Sequence, residues 1–271
     1  MPELPEVETT RRGIAPALLG SRIADMIVRE RRLRWPIAAK FETAVRDQIV
    51  HGVDRRAKYL LIRVGTGTVI LHLGMSGSLR LVSRDTPAKK HDHWDLILDS
   101  GMVLRFHDPR RFGSLLWTED DPARHPLLKK LAPEPLSQEF NGAYLFKITR
   151  KRAVAIKQFI MNSHTVVGVG NIYASEALFR AKIAPRRAAR RITQAEAVKL
   201  ANAIKAVLKA AIKIGGTTLR DYVNADGAPG YFRQKLFVYE RAQAPCRVCK
   251  SPVKQFTQGQ RSTYWCSTCQ H

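Results

Sequence analysis

The spacing of four cysteines is the feature that most constrains this chain. They form two Cys-x2-Cys pairs separated by 16 residues, all near the C-terminal end: Cys246, Cys249, Cys266 and Cys269. Each pair can present two thiolates from one tight turn, and two such turns complete a tetrahedral Zn²⁺ site. Four cysteines leave no open coordination position, so we expect a structural zinc ion that supplies most of the folding energy of a small hairpin module.

The charge balance restricts the partner. The 271 residues include 46 Lys and Arg against 23 Asp and Glu, which gives a formal net charge of +23. Such an excess costs the folded state self-repulsion, and a polyanionic partner explains it best. Nucleic acid is the first candidate, ahead of an anionic membrane surface and of a basic domain with no such partner. The apolar fraction of 45% excludes global disorder.

The chain carries no sign of export or membrane insertion. Its first six residues are acidic and contain two prolines, unlike a signal or transit peptide. No apolar stretch approaches the length of about 20 residues that spans a bilayer. We therefore expect a monomeric, cytoplasmic, nucleoid-associated protein with no membrane partner. In a reducing compartment the cysteines then indicate metal binding and not disulfides.

Hydrophobic periodicity predicts an α+β protein. A short helix over 5–19 precedes runs typical of strands, and several short strands at regular spacing indicate an antiparallel β-sandwich or barrel. The expected strands are 22–29, 59–64, 68–73, 78–82, 94–98, 102–106 and 114–117.

A helical region is expected to follow. A capping box formed by Thr193 and Glu196 predicts a helix that ends at Gly215 and Gly216. Residues 224–233 are predicted to form a loop. The expected domains are an N-terminal domain (1–131), a Pro-rich linker (132–140), a helical domain (141–235) and the four-cysteine module (236–271).

Five further segments resemble the formamidopyrimidine-DNA glycosylase family, and the four-cysteine tail completes the set. The segments are 1–9 (Met-Pro-Glu-Leu-Pro-Glu-Val-Glu-Thr), 55–61 (Arg-Arg-Ala-Lys-Tyr-Leu-Leu), 72–77 (His-Leu-Gly-Met-Ser-Gly), 108–113 (Asp-Pro-Arg-Arg-Phe-Gly) and 167–176 (Val-Gly-Val-Gly-Asn-Ile-Tyr-Ala-Ser-Glu). They follow the family's order along essentially the whole chain. The resemblance implies an N-terminal β-sandwich with an N-terminal helix, a helix–two-turn–helix domain that binds DNA, and a zinc-finger hairpin.

The resemblance also implies an activity: excision of oxidised purines from duplex DNA, followed by cleavage of the abasic strand. Pro2 would be the nucleophile, because removal of Met1 exposes a secondary amine. An α-amino group has a pKa of about 8, against about 10.4 for Lys, so more of it is unprotonated at neutral pH. Glu3 resembles the family's general acid and base; Glu6 and Glu8 fit the first helical turn electrostatically.

Two basic residues complete the implied catalytic set. Lys58 resembles a proton donor in base release and strand cleavage, although on sequence alone it serves equally well to protect an edge strand. Arg261, which is expected at the tip of the zinc hairpin, resembles the residue that assists the second elimination and binds the flanking phosphates. Judged by itself, Arg261 would more often be a solvated charge.

Other residues are candidates for DNA contact. Met75, Arg110 and Phe112 are suited to fill the space that an extruded nucleotide leaves, although a Met or Phe near a turn is more often a core residue. The family's backbone-binding positions match His91, Arg110, Arg152 and Asn171, and Asn171 also suits a plain helix N-cap. A basic run is expected to be mainly a solvated face: Arg180, Lys182, Arg186, Arg187, Arg190 and Arg191.

Two alternative functions remain open. A sister enzyme of the endonuclease VIII type, which prefers oxidised pyrimidines, would share Pro2, Glu3, Lys58 and the zinc tail. Leu4, together with the Met75 motif and the motif of Arg110 and Phe112, favours the purine enzyme. A DNA-binding protein without activity is the second alternative, although it has no need for an N-terminal amine beside a carboxylate.

Overall fold

A computed structural model describes residues 2–216 and 235–271 of the chain. The chain folds into two compact units. The described residues of the first unit are 2–129 and 214–216, and those of the second are 130–213 and 235–271. The loop predicted at 224–233 lies outside the described residues.

Within its described residues, the first unit has two α-helices and eight strands. Its helices are α1 (Leu4–Leu18) and α2 (Phe41–Val45). Its strands are β1 (Ile23–Val28), β2 (Val50–Arg56), β3 (Tyr59–Val64), β4 (Gly67–His72), β5 (Ser78–Ser83), β6 (Asp92–Leu98), β7 (Met102–His107) and β8 (Ser114–Thr118). Seven of these strands match predicted runs to within two residues at each end.

Strand β2 was not among the predicted strands. Polar residues and Gly52 interrupt its apolar positions, so the sequence shows no clear alternation. Its place is secured instead by antiparallel pairing with β3 and by packing against α1.

The eight strands form two four-stranded antiparallel sheets. Their orders are β1-β6-β7-β5 and β2-β3-β4-β8. Inward-facing side chains of both sheets join α1 in one buried apolar cluster, in which Trp94 and Phe106 stack with ring centroids 5.3 Å apart. The predicted α+β class with an N-terminal antiparallel sandwich is confirmed.

The second unit is helical and ends in a hairpin. Its elements are α3 (Gly142–Thr149), α4 (Ile156–Ile160), α5 (Asn171–Ala181), α6 (Gln194–Lys213), β9 (Lys254–Gln258) and β10 (Arg261–Trp265). The capping box predicted for α6 is present: the Glu196 carboxylate accepts from Thr193 N–H at 2.8 Å, and Thr193 Oγ1 accepts from Glu196 N–H at 3.2 Å. No helix in the described ranges has both the length and the apolarity required to cross a membrane.

Candidate active site and zinc module

Pro2 and Glu3 occupy the buried start of α1. Glu3 is only 2% exposed and forms the N-cap of the helix, with an extended backbone. Its backbone N–H donates to Oε2 of Glu6 at 2.9 Å, so the helix itself fixes the residue next to Pro2. Leu4 and Val7 are fully buried, and they anchor the first turns of α1 in the first unit. The N-terminal segment is therefore held by the helix that it begins.

Lys58 lies in the two-residue turn between β2 and β3. Ala57, the other turn residue, has a φ of 56°, and the turn joins the register pair Arg56 and Tyr59. Arg55 stabilises this turn, because its Nη1 donates to the Ala57 carbonyl at 2.8 Å. Its Nε donates to Glu8 Oε2 in α1 at 3.2 Å. Helix α1 is thus tied directly to the turn that carries Lys58.

Glu8 is the centre of this connection. Besides Arg55, its carboxylate accepts hydrogen bonds from Arg11 and Arg12 at 2.8–3.1 Å. Burial raises the pKa of Glu8, but the hydrogen bonds from Arg11 and Arg12 and the charges of Arg11 and Arg55 outweigh it and lower the pKa to about 2. Glu8 is therefore ionised at neutral pH. Its hydrogen bonds to three arginines give it a structural role, in addition to its favourable position in the helix.

Met75, Arg110 and Phe112 line one open cavity of about 710 Å³. Met75 is 40% exposed and Phe112 is 44% exposed, which is unusual for such large apolar side chains. The Arg110 guanidinium lies 4.8 Å from the Phe112 ring centroid. Neither Met75 nor Phe112 is therefore a core residue, and the three residues meet at one surface.

His72, which sequence analysis did not single out, also lines this cavity. Its Nδ1 accepts from Gly74 N–H at 2.9 Å, and its ring lies 4.9 Å from that of Tyr59. Burial, with the nearby charges of Lys58 and Arg34, lowers the pKa of His72 to about 4. The imidazole is thus neutral at physiological pH and has its Nε2 protonated.

His91 lies just before β6. Its carbonyl accepts from Asp108 N–H at 3.0 Å, and its ring lies 5.8 Å from His107. His91 therefore belongs to the same edge of the sandwich as Arg110.

In the second unit, Asn171 is the first residue of α5 and not its N-cap, which is Gly170. The Asn171 amide donates to the Ser262 carbonyl at 2.9 Å and accepts from Lys157 Nζ at 2.6 Å. The lysine is 1% exposed and also donates to Thr263 Oγ1 at 2.7 Å. The start of α5 is thus joined to the zinc hairpin at the residues that follow Arg261.

Arg261 is exposed beside the hairpin tip. Strands β9 and β10 are joined by Gly259 and Gln260, both with positive φ, as in a tight two-residue hairpin turn. Arg261 and Lys157 line a small pocket of about 230 Å³. The prediction that Arg261 lies at the tip of the hairpin is therefore correct.

The four cysteine Sγ atoms lie within 4.8 Å of one another. Two Sγ–Sγ distances are 3.3 Å (Cys249 to Cys266) and 4.0 Å (Cys246 to Cys269). Thiolates about 2.3 Å from a tetrahedral zinc ion would be about 3.8 Å apart, so the donor set fits Zn²⁺. Because all four ligands come from the protein, the geometry suits a structural metal.

The basic run is only partly a solvated face. Arg187 is half-buried and donates to both Glu196 oxygens at 2.6 and 2.7 Å. The Arg186 guanidinium lies 3.7 Å from the Phe256 ring centroid. Arg187 therefore stabilises the second unit, which corrects the expectation for it. The other residues of the run are exposed, as is Arg152: Arg180, Lys182, Arg186, Arg190 and Arg191.

Comparison with known proteins agrees with this arrangement. Three family models match: the formamidopyrimidine-DNA glycosylase N-terminal domain (residues 1–115), the H2TH domain of the same enzymes (131–223) and the zinc finger found in FPG and IleRS (244–271). The formamidopyrimidine-DNA glycosylase of Thioalkalivibrio sulfidiphilus is 60% identical over 270 residues, which cover 100% of both chains. The chain belongs to the formamidopyrimidine-DNA glycosylase family.

Solved structures of the family superpose over almost the whole chain. The MutM (FPG) protein of Thermus thermophilus is 39% identical and has a TM-score of 0.89, with 99% of this chain and 98% of that chain covered. A Lactococcus lactis FPG mutant in complex with DNA containing Fapy-dG is 30% identical and has a TM-score of 0.93, with 99% of each chain covered.

Family membership makes this chain a base-excision DNA-repair glycosylase that also has AP lyase activity. As in the zinc-finger domain that its C-terminal residues match, the four cysteines hold one structural zinc ion. The zinc prediction is therefore confirmed.

Two buried groups of this glycosylase were not recognised as functional from the sequence. Glu176 accepts from the backbone N–H groups of Phe237, Val238 and Tyr239 at 2.9–3.0 Å, and so holds the chain that enters the zinc module. Burial raises the pKa of Glu176, against the opposing effect of these hydrogen bonds. The other is Lys157. A lysine within the apolar helix Ile156–Ile160 was the available signal for it.

Proposed function

We propose that this glycosylase excises oxidised purines, 8-oxoguanine and formamidopyrimidines, from duplex DNA through a covalent bond to Pro2. The observation that carries the proposal is the start of α1, where Pro2 is buried beside the N-cap carboxylate Glu3 and Glu6 fixes the Glu3 backbone. The Fapy-dG DNA in complex with the Lactococcus lactis relative supports the substrate class.

The chemistry begins when Met1 is removed and Pro2 becomes a secondary amine. Its nitrogen attacks the sugar C1′, the bond from C1′ to the base breaks, and the base leaves with a proton. Glu3 protonates the opening sugar and later accepts a proton. The resulting iminium makes the C2′ proton acidic, because the cationic nitrogen stabilises the electron pair left behind.

Strand cleavage follows from the same intermediate. Loss of the C2′ proton expels the 3′ phosphate, and a second elimination expels the 5′ phosphate; water then releases Pro2. Lys58 donates protons during base release and cleavage. Arg261 binds the flanking phosphates and assists the second elimination, because a guanidinium pairs well with phosphate oxygens.

The DNA contacts complete the proposal. Met75 and Phe112 fill the space of the extruded nucleotide, and Arg110 hydrogen-bonds to the base left unpaired. Further contacts to the phosphate backbone come from His91, Arg152 and Asn171. Asn171 reaches it at the N-terminus of α5, where backbone N–H groups attract anions.

Borohydride trapping tests the covalent step. Incubation with a duplex containing 8-oxoguanine opposite cytosine, followed by reduction, is expected to give a protein–DNA adduct whose mass spectrum locates the sugar on Pro2. Pro2→Gly or a blocked N-terminus should reduce or abolish the adduct. A link to a lysine, with the terminus unmodified, would contradict the mechanism. Absence of any adduct would favour a DNA-binding protein without activity.

Substrate preference separates this enzyme from the endonuclease VIII type. We expect faster single-turnover excision of 8-oxoguanine opposite cytosine than of thymine glycol. The cavity that joins Met75, Arg110 and Phe112 favours this outcome. Preference for thymine glycol would overturn the proposed substrate class.

A further inference from the structure

The two segments that carry the DNA-contacting residues of the cavity cross between the sheets side by side. Residues 73–77 lead from β4 to β5, and residues 108–113 lead from β7 to β8. In one sheet His72 pairs with Ser114, and in the other Ser78 pairs with His107. The residue before each crossing is therefore paired with the residue after the other crossing. We call residues 73–77 the Met75 crossing and residues 108–113 the Arg110 crossing.

Asp108, which is fully buried, connects the two crossings. Its Oδ1 accepts from Ser76 Oγ at 2.7 Å and from Arg110 N–H at 3.2 Å. Its Oδ2 accepts from Gly113 N–H at 2.8 Å. One carboxylate thus holds the residue after Met75 and both ends of the segment that displays Arg110 and Phe112.

Close backbone contact makes this connection rigid. Gly74 has a φ of +69°, and a Cβ there would collide with the backbone of Phe112 and Gly113. The crossings are therefore packed backbone against backbone, and the Ser76–Asp108 hydrogen bond closes the contact on the buried side. The Asp108 backbone extends the same link, because its N–H donates to the His91 carbonyl at 3.0 Å.

We propose that Asp108 is a positioning residue for nucleotide extrusion, which through Ser76 and Gly113 fixes Met75 relative to Arg110 and Phe112. This inference rests on the proposed function of those three residues. The spacing between Met75 and Phe112 matters because both side chains enter the base stack. Partial insertion would not compensate for the stacking that is lost. A carboxylate suits the role because both of its oxygens accept hydrogen bonds.

Two substitutions test the connection. Ser76→Ala removes one hydrogen bond between the crossings and leaves the segment 108–113 intact. Asp108→Asn keeps the shape, but in either orientation its amide NH2 faces a backbone N–H, that of Arg110 or that of Gly113, which leaves a buried donor unsatisfied. Ser114→Ala is the matched control, because Ser114 is also buried at the end of the Arg110 crossing and its Oγ has no hydrogen-bond partner within the described residues.

The first measurement compares two single-turnover rates: excision of 8-oxoguanine opposite cytosine, and cleavage of a preformed abasic site in the same duplex. We expect the ratio of excision to cleavage to fall about tenfold in both test variants, because extrusion of a paired nucleotide requires more unstacking than extrusion of an abasic sugar, and one buried hydrogen bond is left unmade. The ratio for Ser114→Ala should stay at the wild-type value. Thermal unfolding of Ser76→Ala checks that the variant is folded.

The second measurement does not require catalysis. A duplex with 2-aminopurine beside a tetrahydrofuran abasic analogue becomes fluorescent when bound protein breaks the stacking. We expect a strong rise with wild type and Ser114→Ala, and a clearly smaller rise with Ser76→Ala at saturation. The inference would be overturned if Ser76→Ala gave the same fluorescence rise and the same ratio of excision to cleavage as the wild type. A wild-type protein that unstacks the DNA but excises nothing would instead overturn the proposed function and leave the positioning role supported.

Discussion

Glu3 has an unusual environment for a carboxylate in a chain with a net charge of +23. It is almost completely buried and stands at the N-cap of α1, where the helix dipole favours a negative charge. A helix cap by itself needs no acid, since Ser, Thr and Asn cap equally well. The carboxylate beside Pro2 is consistent with the proton-transfer role that we propose for it.

Substitution of Glu3 tests this role. We expect Glu3→Gln to slow excision of 8-oxoguanine by a factor of about 10²–10⁴, as for loss of a general acid, and to slow cleavage of a preformed abasic site less. Single-turnover kinetics on both substrates measures the difference. Glu196→Gln is the control, because it removes the capping-box carboxylate of α6. Equal losses in both steps would argue against an acid role in base release.

At the scale of elements, the contact between α1 and the β2–β3 hairpin depends on one ionised side chain. Glu8 joins Arg11, Arg12 and Arg55, and Arg55 supports the turn that contains Lys58. The pKa of Glu8 is about 2 in the folded protein, against 4.5 for an unperturbed glutamate side chain. Folding therefore favours the ionised form of Glu8. The contribution is present above pH 4.5 and is lost as the pH falls towards 2.

Urea unfolding of Glu8→Gln checks this contribution. At pH 7 we expect the variant to lose about 1.5–3 kcal/mol in its free energy of unfolding, the usual effect of hydrogen bonds to a charged group. The difference from wild type should shrink as the pH is lowered from 4.5 towards 2. Asp85→Asn, at an exposed position of the same unit, should match wild type throughout. A constant difference across this pH range would contradict the assignment.

The zinc hairpin is the other element whose stability is decided locally. Its apolar cluster is small and includes Cys246 and Cys266 themselves, together with Phe179, Val238 and Val253. Metal binding must therefore supply much of its folding free energy. The tip that carries Arg261 depends on that support.

Removal of zinc is expected to abolish tight binding to an abasic duplex, because Arg261 loses its fixed position. Electrophoretic mobility shift on chelated protein, with metal content verified by mass spectrometry, measures the loss. Re-addition of Zn²⁺ should restore binding. Tight binding by verified metal-free protein would show that the hairpin does not need the ion to bind DNA.

On the scale of the whole molecule, the excess positive charge has two different uses. Part of it is paired with carboxylates, as in Arg187 with Glu196 and Arg105 with Asp95. Other residues, such as Arg110, Arg152 and Arg190, are exposed. Exposed charge of this kind binds the DNA backbone without regard to sequence and releases counterions.

Binding to undamaged duplex should therefore weaken steeply with salt. With six to ten phosphates neutralised, the association constant is expected to fall about 10³–10⁵-fold between about 50 and 200 mM salt. Fluorescence anisotropy over a salt series gives the slope. Arg190→Ala should reduce the slope by about one unit, whereas Arg187→Ala should not reduce it in the same way, because Arg187 is paired with Glu196. A slope near zero would show that the basic surface does not contact phosphates.

Some features were determined by sequence because their causes are local. The cysteine spacing predicted a four-thiolate cluster, and Thr193 with Glu196 predicted the start of α6; both depend on residues close along the chain. The order of the motifs also predicted the family and its fold. Strand β2 was missed because its own residues do not alternate, and pairing with β3 defines it.

Tertiary structure alone decided which residues meet at the sites. Asp108 and Ser76 are 32 positions apart, and the register of four strands brings them within 2.7 Å. Arg55 is joined to Glu8 across 47 positions, and Lys157 to Thr263 across 106. A charged residue in a sequence does not reveal whether it will be solvated or buried against a partner. Its environment depends on distant segments, and only folding brings those segments together.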